Sequence, residues 1–370
     1  MPSGEESPHQ NRPENSAYKQ QRIRAWQLIL RERWVIGAFM LFGVLFLGTG
    51  AGIFAASTTA KEYKVQYDGV GTSPAILADC GISTTNEDKT CTVTISVKDK
   101  MEAPVYVYYQ LDNFYQSHRR YVASLSPSQL MGSNVQGDSL CSPLKKNGDQ
   151  WLNPCGLIAN SMFNDVFTVS AAPAPFDATA PAAYMRETGI AWPNDIDRFS
   201  QPDGFVKKSC GGTASCASCL GAGYTDCGVA TDADGKRWAY YYPNDATTQY
   251  LHETYPKVVS PLEGVTNEHF MVWMRTAALP TFRKLYGIID SDIPGGWDVQ
   301  FDINANFLVA NFNGKKSIVL ASSVGVGGFN GALGIAYLVI GGVLLLVGLL
   351  LLAKVLLKPR PLGFAALHQD

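Results

Sequence analysis

Apolar and polar positions along the chain follow two different patterns. Residues 35–56 and 331–353 are continuous apolar runs without a charged side chain, each close to the ~20 residues an α-helix needs to cross a bilayer. Between them, apolar and polar positions alternate in short stretches. Tyr63, Val65 and Tyr67 alternate with Lys64, Gln66 and Asp68, and Cys91, Val93, Ile95 and Val97 alternate with Thr92, Thr94 and Ser96. Trp297, Val299, Phe301 and Ile303 alternate in the same way with Asp298, Gln300, Asp302 and Asn304. Period-two patterns of this kind predict half-buried strands, and the strands nearest the two apolar runs are expected to pair. The tyrosine-rich run 105–111 predicts another strand. Residues 156–163 and 268–278 have helical length and composition, the second stopped by Pro280. Helices and strands are therefore mixed, with strands dominant. The Ala- and Pro-rich stretch 171–183 reads as a loop.

These patterns divide the chain into a tail (1–34), a first span (35–56), a central domain (57–330), a second span (331–353) and a short tail (354–370). About 270 residues between the spans are enough for a genuine core. Arg22, Arg24, Arg31 and Arg33 precede the first span, and Lys354, Lys358 and Arg360 follow the second. By the positive-inside rule both termini are cytoplasmic and the central domain lies on the other side; Lys61, Lys64, Lys315 and Lys316 beyond the spans are accompanied by Glu62 and Asp68. The first span follows a long polar stretch without a small-residue cleavage site, so it reads as an uncleaved signal anchor. Residues 1–17 have the composition of a disordered tail. The basic stretch 18–33, with Trp26, Leu28 and Ile29 interleaved, is either a stop-transfer flank with an interfacial Trp anchor or a docking surface for a cytoplasmic partner.

All eight cysteines, Cys80, Cys91, Cys141, Cys155, Cys210, Cys216, Cys219 and Cys227, fall between the spans. On the non-cytosolic side an even set of this kind forms disulfides, which agrees with the orientation read from charge. Nearest-neighbour pairing joins Cys80 with Cys91 and Cys141 with Cys155; the last four, in a Cys- and Gly-rich insertion at 207–255, leave three pairings open. Cys216 and Cys219 form a Cys-x-x-Cys, read here as structural disulfide cysteines against the alternatives of thiol redox chemistry or a four-cysteine zinc site.

Composition adds little: 46% hydrophobic, 17% charged and a formal net charge of −2 describe an ordinary globular mixture with no call for a nucleic-acid partner. No hydrolase elbow, Walker loop or dinucleotide loop occurs, so no catalytic residue, metal or cofactor is expected. His118, Arg119 and Arg120 follow Phe114 and Tyr115 as a basic cluster, suited either to phosphate head groups or to a solvated turn. Gly48 and Gly52 have small-xxx-small spacing, and Gly341, Gly342 and Gly348 notch the second span, features that let another helix approach closely. With no charge inside either span, two helices offer no polar transport path, and function is to be sought in what the protein attaches to.

Several strings then narrow the choice. They are Tyr18, Lys19, Gln20, Gln21 and Arg22 before the first span; Leu-Asp-Asn-Phe-Tyr-Gln-Ser-His-Arg-Arg-Tyr at 111–121; and Pro-Cys-Gly-Leu-Ile-Ala-Asn-Ser-Met-Phe-Asn-Asp at 154–165. Gly-Ile-Ala-Trp-Pro at 189–193, the run 269–286 around Trp273, and Leu-Gly-Ile-Ala-Tyr at 333–337 complete the set. In this order, from residue 18 to 353, they resemble the β-subunits of phospholipid flippases, the cell division control protein 50 or ligand-effect-modulator family that accompanies type IV P-type ATPases. The resemblance implies an α+β membrane protein, two transmembrane helices flanking a large, mainly antiparallel β, disulfide-stapled ectodomain. It implies a non-catalytic partner that an ATPase needs to leave the endoplasmic reticulum and to move lipids such as phosphatidylserine to the cytoplasmic leaflet. The final membrane (endoplasmic reticulum, Golgi, endosomal or plasma membrane) would depend on that partner. Tyr18 to Arg22 would sit against the ATPase on the cytoplasmic side, Gly48 and Gly52 would pack on its helices, and the ectodomain would cover its outer loops and adjoin membrane lipids. Three departures from the family stand out: no Asn-x-Ser/Thr acceptor, Gly325 where the family has a Trp, and the four-cysteine stretch 210–227. The competing reading is a stand-alone receptor or adhesion ectodomain using the tyrosines Tyr240, Tyr241 and Tyr242.

Overall fold

The computed structural model describes residues 14–23, 31–84, 89–180, 183–210, 215–221, 223–224, 226–323 and 331–358. The stretch around Trp26 and the Gly325–Gly328 segment lie outside them. In chain order the elements are α1 (Glu32–Thr59), β1 (Glu62–Gly69), α2 (Pro74–Cys80), β2 (Lys89–Val97), β3 (Val105–Asp112), α3 (Arg119–Val122) and α4 (Pro127–Leu130). They continue with β4 (Lys146–Asn147), β5 (Gln150–Asn153), β6 (Val166–Ala171), α5 (Pro193–Ile196), β7 (Val206–Ser209), α6 (Cys216–Leu220), β8 (Gly228–Thr231) and β9 (Arg237–Tyr241). The last are β10 (Thr248–Tyr250), α7 (Leu251–Thr254), α8 (Glu268–Met274), β11 (Phe282–Ile289), β12 (Trp297–Ala305), β13 (Lys315–Ser322) and α9 (Gly331–Leu357).

Residues 55–330 form one compact unit. Its main sheet runs β1-β13-β3-β11 and a second runs β2-β12-β6, all antiparallel. Alternation explains β2, where Cys91, Val93, Ile95 and Val97 are buried and the intervening residues exposed. The two sheets face each other through aromatic rings: Phe167 of β6 meets Tyr67 of β1 edge-on at 5.9 Å and Tyr286 of β11 at 4.6 Å, while Tyr109 stacks on Phe163 at 3.9 Å. A small third sheet β10-β5-β4 contains a parallel β10–β5 pair, and a fourth, β7-β9-β8, carries the cysteine-rich insertion.

The strands nearest the spans do pair, Glu62 opposite Ala321 through Gly69 opposite Lys315. The second partner is β13, which alternation missed because all but its first residue are buried and its sequence therefore does not alternate. The predicted helix at 156–163 is instead a single 3₁₀ turn, Ala159–Ser161. Gly156, at φ +103°, abuts the Ser124 carbonyl where no Cβ fits, and Asn160 Nδ2 donates to the Pro154 and Gly156 carbonyls, so the chain folds back instead of coiling on. The helix expected at 268–278 stops at Met274 because Arg275 is extended, at ψ 95°.

Four disulfides staple this unit: Cys80–Cys91, Cys141–Cys155, Cys210–Cys219 and Cys216–Cys227. The Cys-x-x-Cys residues thus pair outward and hold α6 to the sheet β7-β9-β8. Cys155→Ser is expected to cost about 3 kcal/mol, the loop entropy of a bridge of this span. A thermal midpoint equal to that of the unmodified protein would show that the bridge carries no stability.

The other unit contains α1 through Phe54 together with α9. The two helices are antiparallel and meet through glycines at seven-residue spacing. A Cβ on Gly43 would lie 2.6 Å from Leu345, one on Gly50 2.9 Å from Leu338, and ones on Gly334 and Gly341 2.9 and 2.8 Å from Phe54 and Leu47. Gly348 abuts Met40, and the rings of Phe46 and Tyr337 stack at 5.3 Å. In hydrocarbon, where apolar side chains gain nothing by leaving lipid, such close backbone approach supplies the packing energy. The seven-residue period keeps both stripes on one seam.

Candidate partner-binding surfaces

Two of the glycines singled out for a partner, Gly48 and Gly52, do not belong to that seam: a Cβ on either would touch nothing within 4 Å. Of the second-span notches, Gly341 and Gly348 are filled by the chain's own α1, whereas Gly342 is open. Cysteines replacing Phe46 and Tyr337 should therefore cross-link within the chain, should fail to do so when Gly341→Leu is added, and should still do so with Gly48→Leu. Equal cross-linking in all three would rule out the glycine seam.

Tyr18, Lys19, Gln20, Gln21 and Arg22 sit in a compact turn. Lys19 Nζ pairs with Glu14 at 2.8 Å, Arg22 donates to Asn15 Oδ1 at 2.5 Å, Gln20 Nε2 donates to the Glu14 carbonyl, and Gln21 adopts φ 54°. The Tyr18 ring is left 78% exposed, an apolar surface without cover among the described residues.

In the central domain, the strings at 111–121, 154–165, 189–193 and 269–286 converge on one core. Phe114 packs against Tyr121, Trp273, Phe282, Phe307 and Phe312 at ring distances of 5.3–6.3 Å. Trp273, fully buried, donates its indole N–H to the Ile158 carbonyl at 2.8 Å. The Glu268 carboxylate at the start of α8 accepts the backbone N–H groups of Gly189, Ile190 and Ala191 at 2.7–2.9 Å, which ties the 189–193 loop to that helix.

Ionisable groups are buried in two places. Lys316, with no exposed surface, lies 2.8 Å from Asp165 and 3.1 Å from Asp68 and donates to the Phe307 carbonyl at 2.7 Å. Asp165 also accepts from Tyr67 Oη at 2.7 Å and from the backbone N–H groups of Asn306 and Phe307. Burial, then the Asp165 charge, pushes the Tyr67 hydroxyl well above its usual range. Lys284 is the second: its Nζ donates to the carbonyls of Val272, Trp273 and Arg275, and burial, with the Arg275 charge, lowers its pKa to about 7. Both lysines are enclosed by internal partners and read as structural. Sequence reasoning passed over them, although Lys316 is a cation on the same strand face as Ile318 and Leu320.

The expected tyrosine patch at 240–242 is not a free surface. Tyr242 is 3% exposed, stacks on His252 at 4.7 Å and donates to the Pro261 carbonyl at 2.9 Å, while Tyr240 and Tyr241 are half-buried. The basic cluster fares differently. His118 and Arg120 stand exposed at the rim of a cleft of about 640 Å³ whose floor is Phe114, Tyr121 and Phe312.

Comparison with known proteins agrees with these strings. The ligand-effect modulator 3 (LEM3)/CDC50 family model matches residues 53–361. Cell cycle control protein 50A of Mus musculus is 36% identical over 352 residues, covering 92% of this chain and 88% of the relative. ALA-interacting subunit 3 of Arabidopsis thaliana is 36% identical over 95% of this chain and 88% of its own length. Phospholipid-transporting ATPase accessory subunit CRF1 of Saccharomyces cerevisiae is 32% identical over 95% of this chain and 87% of its own length. With two apolar helices around a disulfide-stapled antiparallel domain and a family match over most of its length, the chain belongs to the LEM3/CDC50 family.

Proposed function

We propose that this chain is the non-catalytic accessory subunit of a P-type ATPase phospholipid flippase, forming a heterodimer that the ATPase needs for folding, exit from the endoplasmic reticulum and lipid movement towards the cytoplasmic leaflet. The observation that carries this reading is similarity over 95% of this chain and 87% of a relative that is itself named a phospholipid-transporting ATPase accessory subunit. Enclosure of Lys284 and Lys316 in the core, the first donating to three backbone carbonyls and the second set against two carboxylates and a carbonyl, supports a role in assembly over chemistry.

On this reading the termini are cytoplasmic. Arg31 and Arg33 at the start of α1 and Lys354 and Lys358 at the end of α9 lie at one end of an antiparallel pair, as the positive-inside rule requires, and the disulfides lie in the segment placed in an oxidising compartment. The residues assigned to the partner are Tyr18 to Arg22 and the open glycines Gly48 and Gly52.

Purification of a tagged full-length chain in mild detergent tests the reading: a P-type ATPase in about equimolar amount is expected, with ATP hydrolysis stimulated by phospholipid. Elution of the chain alone, with flippases active and correctly located in cells that lack it, would sink the idea.

A further inference from the structure

In an Asn-Gly dipeptide the chain can attack its own side chain, because glycine has no Cβ to keep its amide nitrogen away from the asparagine Cγ. The sequence contains this dipeptide at 147–148, 313–314 and 330–331, the last outside the described residues. Asn147 and Asn313 are both exposed, yet the fold treats them in opposite ways. Gly314 is buried: its N–H donates to the Val309 carbonyl at 3.0 Å, its carbonyl accepts from the Val70 N–H at 3.3 Å, and it packs against the Phe312 ring. Asn313 itself is fixed in the left-handed region, at φ 51° and ψ 37°. Attack on its Cγ would require Gly314 to give up a hydrogen bond and a packed turn to rotate. Gly148, at the tip of the β4–β5 hairpin, has φ +58°, is exposed, and has no atom within 4 Å of where a Cβ would lie. Its N–H donates to no carbonyl among the described residues. The strand before it, β4, is two residues long, with Lys146 opposite Trp151 and Asn147 opposite Gln150, so little pairing resists a turn of the Asn147 peptide. The Asn147 side chain is held by an exposed hydrogen bond from Nδ2 to Gln249 Oε1, at 2.9 Å.

We propose that Asn147 is a site of spontaneous covalent modification, converted through a succinimide with Gly148 into isoaspartate and aspartate while Asn313 is protected by the fold. The Gly148 amide nitrogen loses its proton to solvent base and attacks Asn147 Cγ. A nitrogen–carbon bond forms there, the bond from Cγ to Nδ2 breaks, and the side-chain nitrogen leaves as ammonia. Water then opens the five-membered ring. Opening at the main-chain carbonyl of Asn147 routes the backbone through Cγ as isoaspartate, and opening at Cγ leaves aspartate. The reaction consumes one water, releases one ammonia and needs no enzyme or cofactor. Its products disturb the hairpin in two ways. Isoaspartate adds a methylene to the main chain, so β4 can no longer hold both of its pairings with β5. Either product also replaces the donor facing Gln249 Oε1 by a carboxylate, setting acceptor against acceptor until the Gln249 amide turns over. The hairpin lies inside the loop closed by Cys141–Cys155, so the bridge confines the damage to the residues between them.

The test incubates the purified full-length chain in heavy-oxygen water at mildly alkaline pH, once folded in mild detergent and once unfolded in urea, and follows the label in its peptides by mass spectrometry. Each succinimide that opens during the incubation takes one oxygen from the solvent, so the label counts reaction at each asparagine. The ratio of labelled Asn147 peptide to labelled Asn313 peptide is expected to be approximately tenfold higher in the folded chain than in urea, the factor that about one hydrogen bond is worth. Asn147→Gln, which keeps the amide but lengthens the side chain beyond a five-membered ring, is expected to abolish label at 147 and leave the Asn313 peptide unchanged. A ratio that unfolding does not change, or that unfolding raises, would overturn the proposal, as would a folded chain that gains no label at 147. Equal label at 147 in the Asn147→Gln chain would show that the oxygen enters by another route and would overturn it too.

Discussion

Lys316→Met is expected to destabilise the central domain by about 3–5 kcal/mol, the cost of removing one partner from a buried ion cluster. The substitution keeps the apolar length of the side chain, so packing beside Ile318 and Leu320 changes little and the loss is electrostatic. Asp165 and Asp68 are each under 5% exposed, and without the ammonium they become two buried anions with no counter-charge. The register makes the cluster central: Asp68 is paired across the ladder with Lys316, and a bulge between Gln66 and Asp68 lets both Tyr67 and Asp68 turn inwards. Asp165 then ties in Asn306 and Phe307, so the cluster links β1, β13 and the segments before β6 and after β12. Adding Asp68→Asn to Lys316→Met should recover part of the loss, because one uncompensated charge disappears. Denaturant unfolding of the purified chain measures both. A loss below about 1 kcal/mol for Lys316→Met would mean that water reaches the cluster, and strict additivity of the two substitutions would mean that the charges do not interact.

How much of this was legible beforehand follows from burial. β1, β2 and β12 announced themselves because one face of each carries polar residues, whereas β13 is buried on both faces and offers no alternation to read. The ion cluster was illegible for a related reason: Lys315 and Lys316 look like a solvated pair at a strand start, and only the register places the second of them against Asp68. The spans were evident from length and lack of charge, but the roles of their glycines were not. Gly48 and Gly52 have the spacing associated with helix pairing, yet the intramolecular seam uses Gly43 and Gly50, seven residues apart, because the partner helix repeats its glycines at 334, 341 and 348. A stripe on one helix can be recognised as a contact only when the matching stripe on the other is aligned with it. The basic cluster at 118–120 could be seen in sequence, whereas the cleft beneath it could not, since its floor brings together Phe114, Tyr121 and Phe312 from positions almost 200 residues apart.

Lys284→Met should be nearly as damaging as Lys316→Met, about 3 kcal/mol or more, and should differ from it in pH dependence. Lys284 ends α8: the carbonyls of Val272, Trp273 and Arg275, which have no partner further along the helix, all accept from its ammonium. Methionine leaves three acceptors in a 6%-exposed site, each costing on the order of 1 kcal/mol or more. The side chain also lies 5.6 Å over the Trp273 ring, so the damage should appear first as faster hydrogen exchange in residues 270–277. The sign of the pH effect follows from the shift. Burial lowers the folded-state pKa from 10.5 to about 7, so between pH 7 and 10.5 the unfolded chain binds the extra proton. Stability from this site is therefore greatest above pH 10.5 and declines as pH falls to about 7. The three carbonyl acceptors oppose the decline, because a neutral amine has only two hydrogens for them. A rising limb in the unfolding free energy between pH 7 and 10, present in the unmodified chain and absent from Lys284→Met, is the expected result. Identical pH profiles would show that Lys284 keeps its proton throughout that range and acts only as a fixed cap on α8.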